Sequence, residues 1–426
     1  MYKAPRGTID ILPNESVKWQ TLEQLLHTIC SNYNVKEVRT PIFESTELFS
    51  RSVGETTDVV NKEMYTFEDK KGRSLTLRPE GTAGIARAYV QNKLYTNPDN
   101  ITKVYYMGPM FRYERPQNGR QRQFHQFGVE MLGYESPYLD VECMTMAVTV
   151  VEALGLEGVK LHINSLGDDE SRDNYRKALK DHFRPYLNEL CEDCKNRFEK
   201  NPLRILDCKV DKDNEAMKNA PKAIDYLSEN AKAHFDKVCS LLDDLEVPYE
   251  IDYNLVRGLD YYCHTVFEII SDDKRLGSGS TVGGGGRYNG LVKELGGPDH
   301  GGVGFAFGLE RLLIAMNDEM MEEEGIDAYI MPIGKESLDI ATQIATMLRA
   351  NGYATDIDYQ ARSLKAQFKT VDRVNAHFSI IIGEEEIKKE VVNIRCNHTK
   401  VQDEVKFENI LEYLDNHEGE HSHEHE

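Results

Sequence analysis

The segment that most constrains the fold is Gly304-Phe305-Ala306-Phe307-Gly308-Leu309-Glu310-Arg311. Aromatic and small residues alternate before its final Glu-Arg, so the pattern predicts a strand that runs into a helix over residues 303–316. The glycines at 304 and 308 allow a ligand to approach the backbone closely. Strand patterns broken by turns also occur over 75–130, with a helix near 81–92, and at 249–256 and 261–270.

A second informative segment lies far upstream and is rich in arginine. Phe111-Arg112-Tyr113-Glu114 is followed, after a polar loop, by Arg120-Gln121-Arg122-Gln123-Phe124. A planar guanidinium binds phosphate oxygens through paired hydrogen bonds and keeps its charge. Together the two segments predict a nucleoside triphosphate site, with Arg112, Arg120, Arg122 and Arg311 on the phosphates and Phe124 stacked on the base.

Each segment has a simpler interpretation when it is taken alone. Arg112 and Glu114 also fit an exposed cross-strand ion pair. The Gly304–Arg311 segment also fits an ordinary strand–helix turn. The chain contains no Gly-x-x-x-x-Gly-Lys-Ser/Thr motif, so a P-loop is not expected.

The composition narrows the class of protein. With 426 residues, 40% hydrophobic and 29% charged, the chain is expected to form two or three soluble globular domains. Its start lacks the apolar segment of a secretory signal, and no apolar run approaches the ~18 residues of a membrane span, so we expect a cytoplasmic protein. A net charge of -21 argues against a surface that binds nucleic acid all over, but it is compatible with local basic patches.

The eight cysteines do not predict a disulfide framework in a chain of this length. Cys191-x-x-Cys194 and Cys208 place three thiols in one region. Zinc would need a fourth ligand, and the sequence offers no clear one, so we expect reduced structural thiols and no metal held by protein side chains.

The N-terminal part of the chain alternates between helical and strand patterns. Apolar spacing predicts an amphipathic helix over 15–31, followed by a strand at 36–40 that runs into Pro41. A buried helix is expected over 140–155. Charged, helix-prone residues over about 166–247 predict a mostly helical insertion.

The C-terminal part has a different pattern. Gly277–Ser280 predicts a flexible loop, and Met320–Gly325 predicts an acidic linker. The His- and Glu-rich tail, 416–426, is expected to be disordered. Between linker and tail, an α/β unit is predicted, with strands at 328–333, 353–357 and 377–382 and helices at 336–351 and 362–376.

The two arginine segments resemble motifs 2 and 3 of the class II aminoacyl-tRNA synthetases, with Ala306 where the family has a glycine. The helix, strand and proline of 15–41 resemble motif 1, which implies a dimer interface. Leu255–Tyr262, followed by Thr265–Glu268, resembles the signature box of histidyl-tRNA synthetases. The resemblance covers residues 1 to about 415, and further similar segments are Arg6–Pro13, Thr76–Thr82, Phe124–Glu130 and Gly283–Tyr288.

This resemblance implies a fold and a reaction. The expected fold is an α+β class II catalytic domain at 1–325, an antiparallel sheet flanked by helices that carries the insertion, followed by an α/β anticodon-binding domain at 326–415. The expected reaction is ATP-dependent activation of histidine to histidyl-adenylate, then transfer of histidyl to the 3′ end of tRNA-His. ATP with Mg²⁺, histidine, tRNA-His and a second copy of the chain are the expected partners, without an organic cofactor or a membrane.

The resemblance also implies roles for individual residues. Arg257 and Arg112 are expected on opposite sides of the α-phosphate as catalytic residues, while Mg²⁺ bridges the β- and γ-phosphates. Glu130 and Tyr262 are expected to face the imidazole, with Tyr261 in the same pocket and Glu80, Thr82 and Gln126 at the α-amine. The histidine set is Glu80, Gly81, Thr82, Arg112, Gln126, Glu130, Arg257, Tyr261 and Tyr262. The ATP set is Arg112, Glu114, Arg120, Arg122, Phe124 and Arg311.

Two of these interpretations have alternatives. Tyr261 and Tyr262 also fit two aromatics on opposite faces of a strand, one of them a core residue. Arg362, Lys365, Lys369 and Arg373 have spacings of 3, 4 and 4, which predicts four cations on one helix face that contact tRNA phosphates. A solvated helix face fits the same pattern. The loop at 115–122 is the second candidate for tRNA, at the acceptor end.

Two other functions remain to be separated from the ligase. One is a non-catalytic synthetase-like regulator, the regulatory subunit of ATP phosphoribosyltransferase, whose family lacks the anticodon domain and tends to lose catalytic residues. The other is a class II synthetase for a different amino acid, which the Arg257–Tyr262 box disfavours.

Overall fold

The computed structural model describes residues 2–54, 57, 59–96, 101–116, 119–206, 208, 210–276, 281–316 and 325–418. The chain divides into two compact units, Met1–Met321 and Glu322–Glu426. Within the described ranges, no helix is long and apolar enough to cross a membrane. The Gly277–Ser280 loop, most of the Met320–Gly325 linker and residues 419–426 of the predicted tail lie outside the described residues.

Strands of the first unit make up two sheets. They are β1 (Lys36–Glu37), β2 (Phe43–Ser45), β3 (Thr66–Glu68), β4 (Ser74–Leu77), β5 (Thr102–Phe111), β6 (Gln123–Leu132), β7 (Val159–Ser165), β8 (Tyr249–Ile251), β9 (Cys263–Ser271), β10 (Thr281–Arg287) and β11 (Gly302–Gly308). The larger sheet has the order β1-β5-β6-β11-β10-β9-β7-β8, and the smaller one has the order β2-β4-β3. Neighbours in the larger sheet are antiparallel from β5 to β7, and the two edge pairs, β1–β5 and β7–β8, are parallel.

The helices of the first unit pack on both faces of the larger sheet and in the insertion. They are α1 (Pro13–Asn32), α2 (Thr46–Val53), α3 (Thr82–Gln91), α4 (Pro137–Ala153), α5 (Asp169–Phe183), α6 (Glu192–Lys200), α7 (Glu215–Lys218), α8 (Glu229–Asp244), α9 (Leu291–Glu294) and α10 (Leu309–Ala315). Apolar residues of α1, α4, α8 and α10 pack with Phe127, Phe267 and Phe305 in one core. On the opposite face, α3 and α9 pack with Tyr106 and Val266, and the rest of that face is available for the site.

The region predicted as a helical insertion contains α5 to α8. Tyr175, Phe183, Cys194 and Phe198 belong to a small core of its own. In contrast, α8 supplies Phe235 and Val238 to the core under the main sheet. Helix α8 thus packs against the main sheet and is also the last helix of the insertion.

The second unit is an α/β domain. Its elements are β12 (Ala328–Pro332), α11 (Leu338–Ala350), β13 (Thr355–Ile357), α12 (Leu364–Arg373), β14 (Phe378–Ile382), α13 (Glu384–Lys389), β15 (Val391–Cys396), β16 (Gln402–Lys406) and α14 (Ile410–Glu418). The sheet order is β13-β12-β14-β15-β16, parallel at its first two pairs and antiparallel at its last two. Apolar side chains of α11 and α14 pack on one face of this sheet.

Some boundaries differ from the sequence pattern. The strand predicted at 36–40 pairs only at Lys36–Glu37, where it lies parallel to β5. The helix predicted over 362–376 begins at Leu364 and ends at Arg373. The last helix extends to Glu418, so it includes the first residues of the predicted tail.

Candidate active site

The candidate site lies on the face of the large sheet that α1, α4, α8 and α10 leave open. Successive side chains of a strand point to opposite faces, so Phe127 and Val129 enter the core while Gln126 and Glu130 point to the other side. The register pairs Glu130 with Gly304 and Gly304 with Gly286. Glycines in this row leave room above the sheet for side chains or a ligand.

A cavity of about 360 Å³ opens on this face. Its lining combines motif-like segments that are far apart in sequence. Among the described residues it includes four arginines and three glutamates: Arg112, Arg120, Arg257 and Arg311, with Glu114, Glu268 and Glu310. Phe124 and Gln126 complete one wall. Four guanidinium groups around one cavity suit a ligand with several negative charges.

Arg112 is held at the edge of the cavity by the backbone. Its Nε donates to the carbonyl oxygen of Pro79 at 2.8 Å. The guanidinium carbon lies 5.3 Å from the centre of the Phe124 ring, while Nη1 is 3.9 Å from a Glu114 oxygen. The ion pair with Glu114 is therefore loose, and the backbone contact fixes the position of Arg112.

Arg257 lies deeper in the cavity and is paired with a strand carboxylate. Its Nη1 donates to Glu268 of β9, and Thr281 Oγ1 donates to the other Glu268 oxygen at 3.1 Å. Arg257 Nε is buried and has no hydrogen-bond partner in the described part of the chain. A β-carbon at Gly284 would lie 2.9 Å from Arg257 Nη1. Because Gly284 of β10 has no side chain, the Arg257 guanidinium fits against the backbone of that strand.

Arg311 closes the far side of the cavity at the start of α10. Only 8% of its surface is exposed, and Nη1 donates to the carbonyl oxygen of Thr281. Burial and the nearby charge of Arg120 lower the pKa of Arg311. An arginine stays protonated at neutral pH even so, and these two neighbouring cations favour an anionic ligand.

A second, more buried group of side chains adjoins this cavity. Glu130 is 1% exposed and accepts hydrogen bonds from Thr82 Oγ1, at 2.6 Å, and from the hydroxyl of Tyr288. Burial raises the pKa of Glu130 to about 8. A β-carbon at residue 304 would lie 2.0 Å from Glu130 Oε2, so only glycine fits beside this carboxyl group.

Glu80 lies close to Glu130 and is almost fully buried. It accepts hydrogen bonds from the backbone N–H groups of Thr82 and Ala83, at 2.7 and 2.8 Å, and so caps α3. Burial raises the pKa of Glu80 in spite of these donors. Gly81 lies between Glu80 and Thr82 in the sequence. A β-carbon at this position would lie 2.2 Å from the Tyr106 ring, so glycine is needed there. The strand that carries Glu130 also presents Gln126, whose buried Oε1 has no partner among the described residues.

The two tyrosines of the signature box touch each other. Their ring centres are 4.6 Å apart, and Tyr261 also contacts the Tyr288 ring at 5.6 Å. Both residues precede β9, which begins at Cys263. The alternative was wrong in placing both tyrosines in a strand, but its expectation of one core residue is met by Tyr262, which is buried in an apolar cluster.

Comparisons with known proteins agree with this arrangement. The family model described as histidyl-tRNA synthetase matches residues 7–312. The chain belongs to the histidyl-tRNA synthetase family. A model described as anticodon binding domain matches residues 327–417.

Relatives of the family match over nearly the whole chain. The histidine–tRNA ligase of Bacillus subtilis (strain 168) is 53% identical over 416 residues, which covers 97% of this chain and 98% of the relative. The crystal structure of the apo S. aureus histidyl-tRNA synthetase has a TM-score of 0.83 at 43% identity, covering 97% of this chain and 100% of the other.

A more distant structure shows only the fold. An ATP phosphoribosyltransferase regulatory subunit/histidyl-tRNA synthetase from Bacillus halodurans has a TM-score of 0.65 at 22% identity, covering 90% of this chain and 98% of the other. The class II catalytic fold and the C-terminal α/β anticodon-binding domain predicted from the sequence are confirmed.

Two of the predicted basic residues lie elsewhere than the sequence pattern suggested. Arg122 is not part of the cavity lining; its guanidinium lies 3.8 Å from the centre of the Tyr113 ring, and its Nε donates to the Glu114 carbonyl oxygen at 3.2 Å. Arg362 precedes α12 and binds Asp358, with Nε 2.7 Å from Oδ2, so it does not share the helix face. Lys365, Lys369 and Arg373 remain exposed on α12.

Several residues of the site were not predicted from the sequence. Glu268 positions Arg257, Tyr288 donates to Glu130, and Glu310 accepts from the backbone N–H and ring Nδ1 of His125. Gln121 lines the cavity as well. Glu268, Tyr288 and Glu310 belong to segments that resemble the family, so their signal was present without an assigned role.

A separate cluster in the insertion concerns metal binding. Asp211 lies beside Cys191, Cys194 and Cys208, and the ligand atoms of the four residues are within 4.8 Å of one another. The sequence alone revealed no fourth group, because aspartates are frequent in this region.

Proposed function

We propose that this protein is a histidine–tRNA ligase that forms histidyl-adenylate from histidine and ATP and then transfers histidyl to tRNA-His. The observation that carries the proposal is the convergence of Arg112, Arg257 and Arg311 on one cavity beside the buried Glu130. The 53% identity to a histidine–tRNA ligase, over 97% of this chain, supports it. Because tRNA charging serves translation, the expected location is the cytoplasm.

In the first step, a carboxylate oxygen of histidine attacks the α-phosphorus of ATP. A bond forms between that oxygen and the phosphorus, and the bond from the phosphorus to the bridging oxygen breaks, so pyrophosphate leaves. Negative charge grows on the α-phosphoryl group, and fixed cations lower the barrier. Arg112 and Arg257 are proposed to supply them. The carboxylate is already ionised, so no general base is required.

The position of Arg257 suits this role. Glu268 fixes one end of its guanidinium, while the buried Nε has no partner among the residues that the structure describes. A buried donor without a partner costs about 1–3 kcal/mol. A phosphate oxygen at Nε would remove that cost on binding. Arg311 and Arg120 are proposed to bind the outer phosphates, with Phe124 stacked on adenine.

Mg²⁺ would accompany the ATP. Among the three carboxylates of the cavity, Glu268 is bound to Arg257 and Glu310 to His125. Glu114 is freer, because its oxygens are 3.9 and 3.8 Å from Arg112 and Arg120. Glu114 therefore fits an oxygen ligand for the ion, which offsets the charge of the β- and γ-phosphates when bound.

The histidine pocket is proposed around Glu130, Glu80, Thr82, Gln126 and the two tyrosines. A carboxyl that is partly protonated near neutral pH can pair with either form of an imidazole. Gln126 Oε1, which has no partner in the described ranges, suits the α-amine, which is a donor. A pocket of buried polar groups strongly rejects side chains that lack matching polar atoms.

The second step requires tRNA, and two regions are proposed to contact it. In the second unit, Lys365, Lys369 and Arg373 of α12 would bind phosphates. In the first unit, the loop that includes Arg120 is proposed for the acceptor end. The active form is proposed to be a homodimer.

Histidine-dependent ATP–pyrophosphate exchange tests the proposal. The full chain is expected to catalyse exchange with histidine and not with threonine, proline or glycine. Arg257→Ala should lower the exchange rate by at least about 10³-fold while the protein stays folded. Arg184→Ala is a suitable control, since this side chain is 66% exposed in the insertion, and it should keep the wild-type rate.

The same assay separates the ligase from a regulatory subunit. A regulator would bind histidine without catalysing exchange. Absence of exchange in folded wild-type protein, or near-wild-type exchange in Arg257→Ala, would contradict the proposed mechanism. The arginine cavity and the anticodon-binding unit favour the ligase.

A further inference from the structure

The insertion contains a four-residue cluster with the chemistry of a metal site. Cys191 is the N-cap of α6, and Cys194 lies in the first turn of that helix. Cys208 and Asp211 follow the short 3₁₀ helix at Pro202–Ile205. Each pair has two residues between its members, so the sequence pattern is C-x₂-C followed by C-x₂-D. Two such pairs on separate chain segments are the usual arrangement of a structural zinc site.

Two distances within the cluster match those of tetrahedral coordination. Zinc–sulfur bonds of ~2.3 Å at tetrahedral angles place two sulfurs ~3.8 Å apart, and a zinc–oxygen bond of ~2.1 Å gives a sulfur–oxygen separation of ~3.6 Å. The Cys191 and Cys208 sulfurs are 3.7 Å apart, and Cys208 Sγ is 3.6 Å from Asp211 Oδ2. All four ligand atoms lie within 4.8 Å of one another, so small side-chain shifts would bring them around one ion.

Backbone donors around the cluster support negatively charged ligands. The Cys191 N–H donates to both Asp211 oxygens, at 3.3 and 3.1 Å, and the Asp211 N–H donates to Cys208 Sγ at 3.4 Å. Such outer contacts orient metal ligands and stabilise their charge. Cys194, Cys208 and Asp211 are at most 8% exposed, which gives the closed environment of a structural site.

The position of the cluster explains what an ion would do. Cys194 and Cys208 belong to the small core of the insertion, together with Tyr175, Phe183 and Phe198. Small cores supply little stability and are commonly reinforced by metals or disulfides. All the cysteines that the structure describes are free thiols. An ion held by both pairs would join α6 to the segment after Ile205.

We propose that Cys191, Cys194, Cys208 and Asp211 bind one structural Zn²⁺ ion. The site is distinct from the arginine cavity, whose lining includes none of the four. Three thiolates and a carboxylate leave no open position for a substrate, so the ion stabilises the insertion and takes no part in the reaction.

The His- and Glu-rich tail could bind metal and confuse a metal count. The test therefore uses the full chain with His421→Gln, His423→Gln and His425→Gln, purified without metal-affinity chromatography and dialysed against zinc-free buffer. Mass spectrometry of the metal content should give about one zinc per chain. Cys194→Ser and Cys208→Ser in the same background should lose it. Cys239→Ser, which removes a half-buried thiol outside the cluster, should keep it.

Two further measurements keep the proposal testable if the serine variants fold poorly. Replacement of the ion by Co²⁺ should give the charge-transfer absorption of thiolate-bound cobalt in otherwise native protein. The Asp211→Cys variant should retain the ion and should release it to a chelator more slowly than the protein with Asp211 does. Metal-free protein after growth with added zinc, zinc retained in Cys194→Ser, or a Cys191–Cys208 disulfide in place of the ion would each overturn the proposal.

Discussion

At the residue scale, the histidine pocket depends on a carboxyl group that the fold keeps out of water. Glu130 is held between Thr82 and Tyr288, and Gly304 makes the space it occupies. Charged carboxylates are costly to bury, so desolvation favours the protonated form. The Glu130 carboxyl group, which is proposed to bind the imidazole, therefore also makes the stability of the protein depend on pH.

The sign of this dependence follows from the raised pKa. Folding moves the pKa of Glu130 from 4.5 to about 8, so between these values the folded state keeps a proton that the unfolded state releases. The stabilising contribution is complete below about pH 4.5 and is lost as the pH rises through about 8. Relative to Glu130→Gln, the histidine-free wild-type protein should lose a few kcal/mol of unfolding free energy across this window.

Urea unfolding of both proteins at several pH values measures this difference. The exposed Glu152 of α4 offers the matched control, and Glu152→Gln should differ from wild type by a constant amount. If the unfolding free energy of the wild type stayed constant or rose with pH relative to that of Glu130→Gln, the carboxyl would be ionised in the folded protein.

Site residues could be predicted from the sequence where the residue type and its neighbours in the chain already indicate the role. Arg112, Arg257 and Arg311 carry charges that a phosphate ligand needs, and they stand in recognisable segments. The pairing of Glu268 with Arg257 was not predictable, because it depends on how the loop before β9 folds back against that strand. The contact of Arg122 with the Tyr113 ring was also not predictable, because it depends on how the chain turns just before β6 begins.

At the element scale, the strongly periodic helices and some buried strands were predicted, but the mostly buried strands β7 and β15 were not. The helix over 15–31 and the alternating pattern of 328–382 correspond to α1 and to β12–β14. In contrast, β16 was missed because its residues are mostly polar and exposed, as is common at a sheet edge. Four successive glycines do not predict a strand, yet Gly283–Gly286 lie in β10. There the β-carbon of residue 285 would be only 1.9 Å from the Gly304 carbonyl oxygen.

One element-scale prediction concerns α12. With Arg362 bound to Asp358, the candidate basic face consists of Lys365, Lys369 and Arg373. Lys365→Gln with Lys369→Gln should raise the KM for tRNA in aminoacylation and reduce the salt dependence of tRNA binding by about one unit of slope per lost phosphate contact. Pyrophosphate exchange needs no tRNA and should be retained.

A charge-matched double variant on another helix of the same unit controls this experiment. Lys388 and Lys389 end α13 and are both exposed. Their replacement by glutamine should leave the salt slope unchanged. If the two double variants behave alike, the effect of α12 is one of overall charge, and its face is merely solvated.

At the scale of the whole molecule, the small sheet and the residue before it present apolar side chains that the described residues leave exposed. Ile42, Phe43 and Phe67 are 45%, 52% and 44% exposed, and the two phenylalanine rings are 6.4 Å apart. Clustered exposed apolar residues of this kind mark protein–protein interfaces. Ile42 and Phe43 directly follow the segment that resembles motif 1, which is consistent with the proposed homodimer.

Phe43→Glu is therefore expected to shift the protein from dimer to monomer, because a charge at the centre of an apolar interface would be buried without a partner. Sedimentation at micromolar concentration measures the change, and exchange activity measured at the same concentrations should fall with the dimer fraction. Leu245→Glu is the matched control: this residue is 56% exposed at the end of α8, and its variant should remain dimeric and active. A wild-type monomer would rule out the proposed dimer, whereas a dimeric, active Phe43→Glu variant would place the interface on another surface.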